Sequence, residues 1–101
     1  MTLRVGVFGA GGRMGSTVCR AVDADPALEL VGAVDPNHAD LAMAEVTGCD
    51  LPFRVSADGQ ALLEVGVDVI IDFTHLDAAR ANLLWAADNG VHAVTGTTGF
   101  S

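Results

Sequence analysis

Apolar and polar positions along this chain switch between a strand period and a helix period from one end to the other. Leu3 to Phe8 is a short apolar run, after which Met14, Val18, Ala21 and Val22 recur at helical spacing until Asp25-Pro26 breaks the pattern. Leu28 to Val34 is a second apolar run, closing on Asp35-Pro36. A weaker helical pattern covers Ala39 to Val46 and stops at Gly48. Phe53 to Val55 reads as a short third strand, followed by a helix from Asp58 to Val65. Val67 to Phe73 is a β-branched run with no solvated face, the pattern of a parallel strand buried on both sides. Asp77 to Asp88 reads as a helix, with Ala81, Leu84, Trp85 and Asp88 on neighbouring turns and Asn89-Gly90 as its stop. Val91 to Thr95 is the last strand. It runs into Gly96-Thr97-Thr98-Gly99-Phe100.

Strand–helix alternation with short connections predicts right-handed βαβ units in an α/β, doubly wound parallel sheet of Rossmann-like type. Five strands in the order 3-2-1-4-5 are expected. No helix follows the final loop to cover the fifth strand, so the sheet is expected to be truncated at Ser101.

The junction between the first strand and the first helix carries the strongest chemical signal. Gly9-Ala10-Gly11-Gly12-Arg13-Met14-Gly15 lies between them, and Gly9, Gly12 and Gly15 fit G-x-x-G-x-x-G. A dinucleotide pyrophosphate needs this arrangement. The first glycine turns the chain off the strand, the middle ones let backbone N–H groups approach phosphate, and the last lets the helix pack on the sheet. Asp35 ends the second strand 20 positions after Gly15, where an acid accepts hydrogen bonds from adenosine ribose hydroxyls and repels a 2′-phosphate. Asp35-Pro36-Asn37 also reads as a simple turn. NADH is therefore favoured over NADPH, with Arg13 within reach of a 2′-phosphate from the glycine loop.

Asp72, Phe73 and Thr74 close the fourth strand at the carboxyl edge, where open parallel sheets bind ligands. Phe73 and Thr74 are candidate cofactor contacts, or a core residue and a helix cap. His75 precedes a helix, as surface and capping histidines do; His38 and His92 carry less signal still. Gly96, Thr97 and Thr98 offer close backbone approach and hydroxyls suited to a nicotinamide carboxamide, or form an ordinary turn.

Composition narrows the partners. Half of the 101 residues are hydrophobic, which predicts one globular domain over residues 1–101. The net charge of −8 argues against nucleic acid and anionic membrane as partners. No apolar stretch nears the roughly 20 residues of a membrane span, and a strand at the N-terminus leaves no room for a signal peptide, so a cytoplasmic location is expected. Cys19 and Cys49 lack companions at metal-ligand spacing. Cys19 is expected in the core and Cys49 in a loop.

Three stations in order, Gly9–Gly15, Ile71-Asp72-Phe73-Thr74 and Gly96-Thr97-Thr98-Gly99-Phe100, resemble the dihydrodipicolinate reductase family over the whole chain. The resemblance implies an NAD(P)H-dependent reductase that converts 4-hydroxy-tetrahydrodipicolinate to tetrahydrodipicolinate in diaminopimelate and lysine biosynthesis. It implies cofactor contacts at Gly9, Ala10, Gly11, Gly12, Arg13 and Met14, at Asp35, at Phe73, Thr74 and His75, and at Gly96, Thr97 and Thr98. Where the family can carry an arginine for the NADP phosphate, Pro36 stands here. The family's substrate-binding and tetramer-forming domain, with its His-His-x-x-Lys stretch and Ser-Gly-Thr loop, would follow Ser101. No catalytic residue is therefore assigned, the fragment alone is expected to be inactive, and a homotetramer is expected only with that domain. Two other readings remain: a homoserine- or aspartate-type dehydrogenase, and a nucleotide-binding module without catalysis.

Overall fold

In the computed structural model, which describes residues 2–96, four strands form one parallel sheet. They are β1 (Leu3–Phe8), β2 (Leu28–Val34), β3 (Val69–Asp72) and β4 (His92–Thr95), in the order β2-β1-β3-β4. The helices are α1 (Arg13–Ala24), α2 (Met43–Thr47), α3 (Gln60–Glu64) and α4 (Leu76–Asp88), with a 3₁₀ turn at Pro36–His38. The parallel α/β sheet is as expected from the sequence, but the strand count is not.

The expected third strand is missing from the sheet for a reason visible in its backbone bonding. Ser56 bonds to the outer side of β2, donating to Ala33 and accepting from Asp35 (2.8 and 2.9 Å). One residue earlier, Val55 instead donates to Leu41 and accepts from Asp40 (2.9 and 2.8 Å). The segment divides its polar groups between two partners and makes only isolated bridges, Val34 with Ser56 and Ala42 with Arg54. The expected order 3-2-1-4-5 thus loses its outer member, leaving four strands. The same loop shortens the expected 39–46 helix to Met43–Thr47: Asp40 takes a positive φ of 67° and Ala42 is drawn into a bridge. The helix expected over 58–65 is likewise shorter, at Gln60–Glu64.

Each face of the sheet has its own core. On one, Val5, Val7, Leu30 and Ala33 meet Cys19 and Val22 of α1, Met43 of α2, and Val55. On the other, Phe8, Val34 and Ile70 meet Leu62 of α3 and Ala86 of α4. Gly6 and Gly32 are register partners on adjacent strands, and together they leave a hollow that Leu62 fills. A Cβ on Gly6 would lie 2.8 Å from Leu62 Cδ1, and one on Gly32 would run into Leu62 Cδ2. Trp85 meets Phe8 edge-on with ring centroids 5.5 Å apart. Helix α4 lies on the sheet through its small residues Ala79 and Ala86, while Leu84 stays exposed. In α1, Ala21 and Met14 are also exposed, and Gly15, Cys19 and Val22 form the buried stripe. All four residues of β4, at the sheet edge, are exposed.

Cys49 lies in a loop, as expected, but is buried there; its N–H donates to Thr47 Oγ1 (3.2 Å), which in turn donates to Met43 O (2.8 Å). Arg20 reaches across from α1 to Thr47 O (3.0 Å). Cys19 is buried as expected. Burial first, then the neighbouring Cys49, push the Cys19 thiol from 9.0 up to about 12, with Arg20 opposing. A folded value above the unfolded one means the contribution is complete below pH 9.0 and is lost as pH rises towards about 12. Urea midpoints at about pH 7.5 and about pH 10.5 should therefore fall more steeply for the natural chain than for Cys19→Ala. Equal slopes would show that Cys19 ionises as freely when folded as when unfolded.

Candidate functional site

The carboxyl ends of β1, β2 and β3 open into a cavity of about 430 Å³. Its walls come from the turn after β1 (Gly9, Gly11, Gly12), the turn after β2 (Asp35, Pro36, Asn37, His38), and the β3–α4 junction (Phe73, Thr74, His75, Ala78). This is the crevice beside the point where strand order reverses, the usual ligand position in such sheets.

Two glycines place the first wall. Gly9 has φ of 83°, a left-handed conformation that a side chain would strain. Gly15 packs so tightly on that turn that a Cβ there would run into the Gly9 carbonyl oxygen. Gly12 is different. Its backbone is extended (φ −78°, ψ 168°), and a Cβ would meet only Gly9 O at 3.5 Å. The protein's own packing gives no reason for a glycine at position 12.

Both long helices begin at this cavity. Gly12 is the N-cap of α1 and His75 the N-cap of α4, and neither helix has a side-chain cap hydrogen bond. The first helical bonds are Ser16 N–H to Gly12 O (2.9 Å) and Ala79 N–H to His75 O (2.7 Å). The amides of residues 13–15 and 76–78 precede them and have no intrahelical acceptor. Helix α1 has no acid in its first turn, whereas α4 has Asp77. Two positive helix ends on one cavity favour an anion there, in a chain whose net charge is −8.

Asp35 closes the far side and ties two walls together. Its Oδ2 accepts from Gly11 N–H (2.9 Å) and its Oδ1 from Asn37 N–H (3.0 Å). The second bond caps the 3₁₀ turn, so the turn reading of Asp35-Pro36-Asn37 describes a real contact. The first fixes the glycine loop. His38 Nδ1 lies 3.3 Å from Asp35 Oδ2. At the third wall, Thr74 donates its N–H and its hydroxyl to Asp72 Oδ1 (2.8 and 2.6 Å). That holds the β3–α4 junction open to the cavity.

Of the residues singled out from the sequence, Gly9, Gly11, Gly12, Asp35, Phe73, Thr74 and His75 line this one cavity. Ala10 is buried beneath it; Arg13 and Met14 are exposed on α1 and are not among its lining residues. Gly96 donates to Asp72 O (2.9 Å) but does not line it either. Thr97, Thr98, Gly99 and Phe100 lie outside the described residues. Pro36, Asn37, His38 and Ala78 line the cavity without having been singled out for it. For His38 the available signal was its place three residues after Asp35, one turn away on the same loop. A second cavity of about 320 Å³ adjoins the first through Pro36, Thr74 and Ala78, and reaches Phe8, Val34, Ala57 and Trp85. Among the described residues no group of three or more metal-ligating side chains occurs, and no helix is long and apolar enough to cross a membrane.

The family description "dihydrodipicolinate reductase, N-terminus" matches residues 3–101. The 4-hydroxy-tetrahydrodipicolinate reductase of Nocardia farcinica is 40% identical over 100 residues, covering 99% of this chain and 33% of that protein. The enzyme of the same name from Cutibacterium acnes is 43% identical over 98 residues, covering 97% of this chain and 31% of that protein. This chain thus spans about a third of the length of these curated relatives. Among solved structures, dipicolinate-bound dihydrodipicolinate reductase from Paenisporosarcina sp. TG-14 superposes with a TM-score of 0.77 at 27% identity. That match covers 100% of this chain and 39% of the other.

Proposed function

Because this chain belongs to the dihydrodipicolinate reductase family, as its N-terminal portion, we propose that residues 1–101 form the domain that holds the pyridine nucleotide for an NAD(P)H-dependent reductase of lysine and diaminopimelate biosynthesis. The convergence of two uncapped helix N-termini on one cavity carries this reading. When bound, the nicotinamide supplies the hydride that, with a proton and loss of water, turns 4-hydroxy-tetrahydrodipicolinate into tetrahydrodipicolinate.

The chain's own residues bind and orient. The amides at the start of α1 take the pyrophosphate, and Gly12 leaves room for it. Asp35 receives the adenosine ribose, and the adenine ring enters the adjoining cavity beside Pro36, Ala57 and Trp85. The nicotinamide end runs towards Phe73, Thr74 and His75 and on to Gly96, Thr97 and Thr98. Ala10, Arg13 and Met14 complete the glycine-loop contacts through backbone. A carboxylate at the ribose and Pro36 in place of a cation favour NADH over NADPH. The sequence contains neither His-His-x-x-Lys nor Ser-Gly-Thr, so we assign substrate grip, proton donation and tetramer formation to polypeptide other than these residues. The non-catalytic nucleotide-binding reading shares the cavity with this one. Nucleotide binding without contribution to turnover in a full-length reductase would favour it.

Gly12→Val tests the glycine loop. The side chain has space within the protein, so melting should change by no more than about 1 kcal/mol of stability, the scale of an N-cap change. NADH affinity should drop at least tenfold, read by fluorescence titration; unchanged affinity would make the loop only a turn. Asp35→Ser tests the ribose assignment. It also removes the acceptor of Gly11 N–H, so overall stability should fall, and the readout is the ratio of NADH to NADPH affinity at fixed salt. That ratio should shift towards NADPH by about 1–3 kcal/mol. A constant ratio would remove Asp35 from the adenosine site.

A further inference from the structure

We infer that His38 is a specificity-determining residue of this cavity: its imidazole screens Asp35 and presents a donor to a 2′-phosphate that the bare carboxylate would repel. The inference rests on the cofactor reading above and concerns the 2′ position alone. Three observations carry it. First, Asp35 is only 7% exposed, its two oxygens already engaged by the Gly11 and Asn37 amides. Second, the His38 ring lies against the glycine loop, so close that a Cβ on Gly11 would run into Nδ1 and would also stand 2.7 Å from Asp35 Oδ2. Third, Nδ1 is sealed from solvent and 3.3 Å from Oδ2 without the alignment of a hydrogen bond, while the side chain as a whole is 38% exposed and lines the cavity.

A nucleotide entering this corner therefore meets an imidazole as well as a carboxylate. A ribose hydroxyl can donate to Asp35 only where the imidazole leaves the carboxylate open. Because Nδ1 is sealed, a 2′-phosphate meets the ring only through Nε2, which donates when it carries the ring proton and adds a full positive charge when both ring nitrogens are protonated. The groups facing His38 are Asp35 on its own turn and the Gly11 backbone from the loop after β1; across the cavity stands His75 at the start of α4. Arg13, the cation expected to reach a 2′-phosphate, is not among the lining residues. Among the described residues, the two histidines are the only cation-forming side chains that are. Asp35 biases the site to NADH, and His38 narrows that bias.

The experiment is a set of NADH and NADPH titrations on this chain and on His38→Ala, His38→Gln and His38→Arg, at one pH and one salt, with melting curves as the control for folding. The backbone N–H of His38 donates to Asp35 O, and its carbonyl accepts from Leu41 (3.0 and 3.3 Å), so these substitutions leave the turn's backbone bonds in place. His38→Ala should lower the NADPH-to-NADH affinity ratio about tenfold, the scale of one charge-assisted hydrogen bond. His38→Arg should raise the ratio above that of the natural chain, and His38→Gln, which keeps an N–H donor without charge, should fall between. A ratio constant within about twofold across all four proteins, or one that rises in His38→Ala, overturns the inference while leaving the cofactor reading intact. Failure of the natural chain to bind either nucleotide overturns the cofactor reading, and the inference with it.

Discussion

Everything at the cavity depends on how closely α1 approaches the strand that precedes it. Gly15 lies on the Gly9 carbonyl with no space for a single additional carbon, and Gly9 itself needs a left-handed backbone to leave β1. These two residues set where the helix begins, and so where its unpaired amides point. Asp35 completes the arrangement from the neighbouring strand, because its carboxylate accepts from Gly11 N–H and prevents the loop from falling into the crevice. Gly9 and Gly15 are thus required by the fold, whereas no packing contact accounts for the glycine at position 12.

The electrostatics follow from that geometry. With a net charge of −8 the chain as a whole repels an anionic cofactor. The start of α1 offsets this locally, having neither an acid nor a capping side chain to quench it. The start of α4 adds a second positive end, tempered by Asp77. The carboxylate of Asp35 is held at the opposite side, next to His38. One cavity therefore combines helix-start amides with a carboxylate acceptor bonded to the same glycine loop.

Much of this was legible in the sequence, and the misses have physical causes. β1 and β2 fall on the residues that their apolar runs predict, and the end of α1 follows from Asp25-Pro26. Seven of the expected site residues converge because they sit at strand ends, a position that periodicity defines well. The segment around Phe53–Val55 failed because a three-residue apolar run carries no information about which neighbour will take its amides. The burial of Cys49 was not legible because it comes with Thr47, which accepts from the Cys49 amide 2 positions away and from Arg20 across 27 positions. His38 was passed over because a single histidine has no pattern, and its meaning comes only from the fold's placing it over Gly11. The dihydrodipicolinate reductase resemblance was readable because its three stations combine glycine spacing with strand ends, features that local geometry constrains.

If two helix N-termini jointly hold an anionic dinucleotide, the amides at both must respond to it together. Amide chemical shifts of the nitrogen-15-labelled chain, followed while NADH is added, test it most directly. Saturable changes should be largest at Gly11 to Gly15 and at Thr74 to Ala78, with a shared midpoint, and with a further response at Asp35 and Asn37. Changes confined to β4 or to the opposite edge of the sheet, or a response from α1 with none from α4, would contradict the account.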